Sequence, residues 1–444
     1  MQVATRQASR SQAKSCRSEC ACGMYPRPTV ADVEVHIDFA PGRRRVGTLH
    51  RHARRGGEAI SFEYHTDWLE DPARFSLEPA LSLGRGAFVP DAQMAIFGSI
   101  GDSAPDTWGR RLMQRAERRR AQRGERAPRT LQELDYLLGV SDVSRSGALR
   151  FRTVGEHAFQ APTALGVPGL VDLGRLLGVT ERVLREEETD EDLEMIFAPG
   201  SSLGGARPKA SVIDQHGRLA IAKFPQETDD YSIELWEFVA LTLAKQAGIQ
   251  TPVHELLEVA GRPVLLSRRF DRAEGTRIPF LSGLSMLTLK DGQRASYPEL
   301  VDALTGHGAQ AQDDARELYR RMVLNVLISN DDDHLRNHGF LWRGPHGWAL
   351  SPAYDLNPTP VDIRPRILST NITLEEATCD LDLVLSSAEY FSLALKDAKR
   401  IVSEVAQATR QWREVAAAAG ASHTEVQRMS SAFEHDDLRR ALLL

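Results

Sequence analysis

Apolar and polar residues alternate in short runs over residues 33–64, in VEVHIDF, RVGTLH and AISFEYH, whereas beyond Asp271 apolar residues recur mainly at helical spacing. One repeating architecture cannot satisfy both periods. The first region, broken by turns such as APGRRR and ARRGG, predicts a small antiparallel sheet. A helical region follows from about Asp102, with Trp108, Leu112 and Met113 on one side, and residues 131–139 predict a further helix stopped by Gly139. Residues 171–197 are helical and acidic, and ERVLREEETDEDLE reads as their solvated end. Strands return after a Gly-rich turn at FAPGSSLGGARPKASVI, with LAIAKFP, VHELLEV and RPVLLSRRF as strands and IELWEFVALTLAKQAG as an amphipathic helix ending at Gly248. Residues 314–329 predict a helix, interrupted at NDDDHLRNHGFLW and followed by the turn RGPHG and the strand WALS. No internal repeat is visible. A strand-rich part followed by a helical part is an α+β chain.

With 444 residues, the chain is too long for one ordinary core, and two or three domains are expected. No run of about 18 apolar residues occurs, so no membrane span is expected. Four cysteines, three of them Cys16, Cys20 and Cys22 in a Ser-, Ala- and Arg-rich tail, lack the fourth nearby ligand of a closed zinc site; reduced thiols and a cytoplasmic location are expected. Net charge is −6, but residues 1–60 hold eleven basic against five acidic residues. Arg110, Arg111, Arg115, Arg118, Arg119, Arg120, Arg123 and Arg126 form a second basic cluster. Such a cluster reads either as a contact for nucleic acid or an acidic partner, or as a solvated helix face; for one arginine-rich helix the second reading is preferred.

Ser201-Ser202-Leu203-Gly204-Gly205-Ala206-Arg207-Pro208-Lys209 combines paired glycines, which let backbone amides approach a phosphate, with a lysine able to neutralise it. It lacks the Gly-Lys-Ser/Thr of a Walker A loop, and alone it could be an ordinary turn. Lys223 ends an apolar strand, where a charge is costly unless paired. A strand lysine that contacts nucleotide phosphates pairs with a helix glutamate in protein kinases, and Glu234 and Glu237 are both available.

Asn330-Asp331-Asp332-Asp333-His334-Leu335-Arg336-Asn337 carries the strongest local signal. Phosphoryl transfer to a hydroxyl needs a carboxylate beside the nucleophile and oxygen ligands for magnesium. Asp332 and Asn337 have the Asp-to-Asn spacing of a kinase catalytic loop. Three adjacent aspartates repel one another unless a cation balances them; the alternative is a polar cap after the preceding helix. Asp355, just past a strand in SPAYDLNP, stands where a second metal ligand would follow. No HExxH metal motif or GxSxG nucleophile elbow competes, and His334 reads as a loop-ordering residue.

Together these segments resemble the HipA family of kinase toxins. SSLGGARPK resembles its phosphate loop, AKFP its lysine strand, SRRFDR its inter-lobe segment, NDDDHLRNHGF its catalytic loop and SPAYDL its metal-binding segment; GTLH, SFEYHTDWL, GDSAPDTWGRRL and SRSGALRF are similar to its N-terminal region. The resemblance implies a two-lobed protein-kinase-like fold. It divides the chain into a disordered tail over 1–29, an N-terminal β-rich subdomain over 30–130, connecting helices and a small lobe over 131–270, and a helical large lobe over 271–444. By position it makes Asp332 the proton acceptor and Asn337 and Asp355 the magnesium ligands. ATP would be bound by Gly204, Gly205, Ala206, Arg207, Pro208, Lys209, Lys223, the hinge residues Arg268, Arg269 and Phe270, and His334, Asn337, Tyr354 and Asp355. Ser202 would be phosphorylated by the enzyme itself.

The same resemblance implies a serine/threonine protein kinase using ATP and Mg2+, a translation-related protein substrate such as an aminoacyl-tRNA synthetase, and a small helix-turn-helix antitoxin through which DNA is contacted. Arg336 stands where the family commonly has Lys, Arg207-Pro208 alters the phosphate loop, and Arg268 stands where Glu is frequent. Two other readings stay open on the sequence: a non-catalytic kinase-like scaffold that binds an antitoxin and DNA, and a kinase acting on a small molecule.

Overall fold

The computed structural model describes residues 31–39, 42–54, 57–160, 166–197 and 205–444. The expectations for the tail over 1–29 and for Ser202 and Gly204 lie outside these residues.

Residues 33–64 fold as their alternation predicts. Strands β1 (Val33–Phe39), β2 (Gly42–Arg54) and β3 (Gly57–Tyr64) pair antiparallel in that order, burying Val33, Val35, Ile37, Leu49 and Phe62. Gly47 is required by close packing, since a Cβ there would lie 2.3 Å from the Glu63 carbonyl oxygen and 2.5 Å from the Phe62 ring. Two strands that the alternation did not single out complete the sheet: β4 (Ala87–Phe88) beside β3 and β5 (Leu149–Thr153) beside β1. In β5 Leu149 and Phe151 are buried, while Arg150 and Arg152 reach Asp142 and Glu34.

Helices α1 (Thr107–Gln122) and α2 (Glu133–Leu138) follow the predicted pattern, with Trp108, Leu112 and Met113 buried and Gly139 capping α2. After α3 (Leu173–Leu184) and into α4 (Asp190–Phe197), the acidic run is only in part the solvated end expected of it: Glu186, Glu187, Glu191 and Glu194 are exposed, whereas its other acids are drawn inward. Glu188 is buried against Arg115 and Arg119, and Asp190 meets Arg119 and Arg123. Arg110 grips Glu133 through two 2.7 Å bonds, and Arg126 reaches Glu117. The basic helix and the acidic run are thus each other's counter-charge. Only part of the helix keeps the solvated face, at the exposed Arg111, Arg118 and Arg120.

A second antiparallel sheet has the order β6-β7-β9-β8, from β6 (Lys209–Ile213), β7 (Leu219–Lys223), β8 (His254–Val259) and β9 (Arg262–Arg268). Alternate residues Ala210, Val212, Ala220, Ala222, Val264 and Leu266 form one core with Trp108, Leu112 and the apolar face of α3. Helix α5 (Ile233–Gln246) instead buries Trp236, Val239 and Leu243 in the main core. That core is shared with α6 (Tyr297–His307), α7 (Ala311–Leu327), α8 (Leu395–Thr409) and α9 (His423–Phe433). The arrangement is α+β, strand-rich first and helical later.

The helical expectation beyond Asp271 needs one correction. β10 (Phe280–Ser282) pairs with β11 (Gly339–Trp342), and β11 with β12 (Trp348–Leu350). β12 is the expected strand WALS, whereas β10 and β11, with three and four residues, carry too little periodicity to be recognised; the sheet supports both ends of the segment from the Asp332 loop to Asp355. No helix among the described residues is long and apolar enough to cross a membrane.

Candidate active site

β7 delivers Lys223 at its last residue, where the strand's buried alternation (Ala220, Ala222) turns the lysine to the opposite face. Its Nζ lies 2.7 Å from both carboxylate oxygens of Glu237, on α5, and 2.6 Å from Asp355 Oδ1. Of the two glutamates available in sequence, Glu237 is therefore the partner. Glu234, one turn earlier, accepts from Arg207, whose guanidinium also grips Asp229 at 2.7 and 2.6 Å. Burial lowers the Lys223 pKa, but the carboxylates of Asp355 and Glu237 outweigh it and keep the ammonium charged. Burial pushes the Glu237 carboxyl up, while Lys223 and then Lys209 overcome burial at Asp355 and hold its carboxyl well below the usual range.

The loop after α7 sorts the three adjacent aspartates. Ser329 turns the chain with φ 54°, and Asn330 fastens the loop, donating to Asn325 Oδ1 at 3.0 Å and accepting from Asn357 N at 3.1 Å. Asp331 is paired with Arg364 at 3.0 Å. Asp333 is buried, accepts from the amides of Ser369 and Thr370 at 2.8 and 3.1 Å, and lies 2.7 Å from the Tyr297 hydroxyl. Burial raises its carboxyl to about 8 despite those bonds. Asp332 lacks such anchoring among the described residues and is half-buried. Burial raises its pKa; His334 opposes this, whereas the charges of Asp355 and Asp331 add to it. Mutual repulsion is thus relieved by an arginine for the first carboxylate and, for the third, by withdrawal against Tyr297 and two backbone amides.

Asn337 donates its Nδ2 to the Asp332 carbonyl at 2.8 Å, leaving a buried Oδ1 with no hydrogen-bond partner among the described residues. An orphaned amide oxygen near a carboxylate of depressed pKa suits a hard cation, and magnesium is commonly held by one or two carboxylates together with substrate phosphates. Asn337 and Asp355 fit that role. Asp355 has φ 60°, a conformation uncommon outside glycine and found at functional turns.

Other expected residues are placed as follows. His334 has a buried Nδ1 with no partner among the described residues, and the side-chain bonds that anchor the loop come from Asp333. Tyr354 donates to the Arg336 carbonyl at 2.7 Å and lies 5.4 Å from the Phe270 ring. Arg268 donates its amide to the Val253 carbonyl. The Arg269 guanidinium is buried against Asp271 and the Ser144 carbonyl, turned into the joint with the N-terminal region. Gly205, Ala206, Pro208 and Lys209 lead into β6, and Lys209 Nζ lies 2.7 Å from Asp106. Asp106, Arg364 and Tyr297 join the site from outside the catalytic motifs. Asp106 did leave a signal, as the acceptor directly before helix α1 in PDTWGRRL.

A family model described as the HipA-like C-terminal domain matches residues 201–413, and one described as the HipA N-terminal domain matches 38–137. The chain is 24% identical over 204 residues to a candidate kinase of Haemophilus influenzae, across 40% of this chain and 59% of that protein. It is 29% identical over 138 residues to the candidate kinase Y4dM of Sinorhizobium fredii, across 28% of this chain and 33% of that protein. The matches thus span less than two thirds of either relative. A chain from the Shewanella oneidensis complex of HipA, HipB and operator DNA superposes with TM-score 0.64 at 15% identity, covering 92% of this chain and 96% of that one.

Proposed function

This chain belongs to the HipA family, and from that premise we propose that it is an ATP-dependent serine/threonine protein kinase acting as the toxin of a toxin–antitoxin pair. The observation that carries the proposal is the placement of Lys223 between Glu237 and Asp355, with the Asn337 Oδ1, which has no partner among the described residues, on the neighbouring loop. A lysine, a helix glutamate and two oxygen ligands are what transfer of a γ-phosphoryl group requires. Lys223 binds the phosphates, and Glu237 keeps its ammonium in place. Asp332 orients the acceptor hydroxyl and takes its proton; among the described residues it is neither paired with an arginine, as Asp331 is, nor held by backbone amides, as Asp333 is. Asn337 and Asp355 would hold Mg2+, which supplies neutralisation of the phosphate charge when bound. The Arg268 and Arg269 amides already donate to the Val253 and Leu219 carbonyls, so adenine would meet the Phe270 ring and the remaining hinge backbone groups.

Ser202 is proposed as the self-phosphorylation site, where added negative charge would oppose ATP binding at the same lysines. A translation-related protein such as an aminoacyl-tRNA synthetase is proposed as substrate, in the cytoplasm. The assembly of the Shewanella neighbour supports a small DNA-binding antitoxin as partner. Phosphoproteomics after expression of the wild type beside Asp332→Asn tests the reading. Phosphorylated serines or threonines confined to the wild-type cells are expected; identical phosphoproteomes would overturn it.

A further inference from the structure

Lys209 and Lys223 face each other directly across β6 and β7. Opposed residues on antiparallel strands carry their side chains on one face, with Cβ atoms about 5 Å apart, and like charges so placed are destabilising. Both side chains are largely withdrawn from water, at 5% and 17% exposure. Each lysine meets a carboxylate from a different helix. Lys223 has Glu237 of α5, and Lys209 has Asp106 at the start of α1, 2.7 Å away.

Asp106 is also the N-cap of α1, its Oδ1 accepting from the Gly109 amide at 2.8 Å. The next turn reaches the same place, since Trp108 N donates to the Gly205 carbonyl at 3.4 Å. Gly205 has φ 111°, and a Cβ added to it would lie 3.0 Å from Lys209 Nζ. The ammonium is therefore seated between the Gly205 backbone and the Asp106 carboxylate.

We propose that Asp106 is a positioning residue for nucleotide binding: it holds the Lys209 ammonium beside that of Lys223, so that the two form a paired cationic floor for the polyphosphate of ATP. Helix α1, which precedes the small-lobe sheet in the chain, is then part of the nucleotide site. The inference rests on the kinase reading. Without the Asp106 charge, the buried Lys209 has lost a counter-ion next to a second ammonium. Its ammonium is no longer held in place, and the phosphates lose one charge-assisted contact.

The test is calorimetry with Mg–ATP and steady-state kinetics on the full chain. Asp106→Asn keeps the helix cap, since Asn caps as well as Asp. It should raise Kd and KM for ATP about tenfold while turnover at saturating ATP stays within about threefold. Asp106→Glu should recover part of the affinity. Adding Asp106→Asn to Lys209→Met should raise KM no further, because one contact is removed twice. Asp106→Ser, another capping residue without the charge, should repeat the effect and serves if Asp106→Asn fails to fold. Wild-type KM in either folded variant, or full additivity with Lys209→Met, overturns the proposal. A wild-type protein that binds no ATP overturns the kinase reading along with it.

Discussion

Lys223 and Asp355 lie 132 positions apart in the sequence and 2.6 Å apart in space. With Glu237, which reaches the same ammonium from α5, this contact ties the second sheet to the segment after β12. Lys223→Met leaves two buried carboxylates facing each other without their cation. It should lower unfolding free energy by about 3–5 kcal/mol, measured by denaturant titration, and abolish ATP binding. Wild-type stability in this variant would mean that solvent, not Lys223, neutralises the two acids.

Asp332→Asn and Asp333→Asn should behave oppositely. Asn at 333 still accepts from the Ser369 and Thr370 amides and can donate to Tyr297, so transfer should survive within about tenfold. Asn at 332 cannot take the hydroxyl proton, and transfer should fall by at least about a hundredfold with the fold intact. Radiolabel transfer and thermal melting of the two purified variants check this. The reverse ranking would exchange the roles of the two aspartates.

Asp333 also makes stability depend on pH. Its folded pKa, about 8, lies above the value near 4 of an unfolded aspartate, so the folded state holds a proton the unfolded chain has released. The stabilising contribution is complete below about pH 4 and is lost progressively as pH rises toward about 8. Melting curves of the wild type should show this loss, and Asp333→Asn should flatten it. Equal slopes in the two proteins would place the titration elsewhere.

Asp355→Ala should weaken ATP binding in the presence of magnesium much more than in its absence, because a metal ligand is removed along with a charge. Calorimetry with and without the cation separates these terms. A loss of equal size in both conditions would leave Asp355 as a partner of Lys223 only.

Glu188→Gln should lower stability by about 1–2 kcal/mol, since it takes a buried counter-charge from Arg115 and Arg119. Thermal melting at low and high salt checks this. An unchanged melting temperature at both would return these arginines to the role of a solvated face.

What was legible in the sequence was local. β1 to β3 show in alternation, α5 in its amphipathic spacing, and the catalytic loop in the distance from Asp332 to Asn337, because each signal lies within one element and follows from backbone geometry. The α+β order and the family resemblance rest on such signals read in series. β5 and β10, with five and three residues, hold too few alternations to be told from loop and form because a neighbouring strand supplies their hydrogen bonds. Sequence could place Glu234 and Glu237 equally near Lys223, and it singled out Asp332 from its neighbours only by the distance to Asn337. Tertiary packing chose among them: Arg207 claims Glu234, Arg364 claims Asp331, and Tyr297 with two backbone amides buries Asp333. The contact between Asp106 and Lys209 was decided the same way. Chemically equivalent side chains carry the same local signal, and only the charges and burial that the folded chain brings around each one make them different.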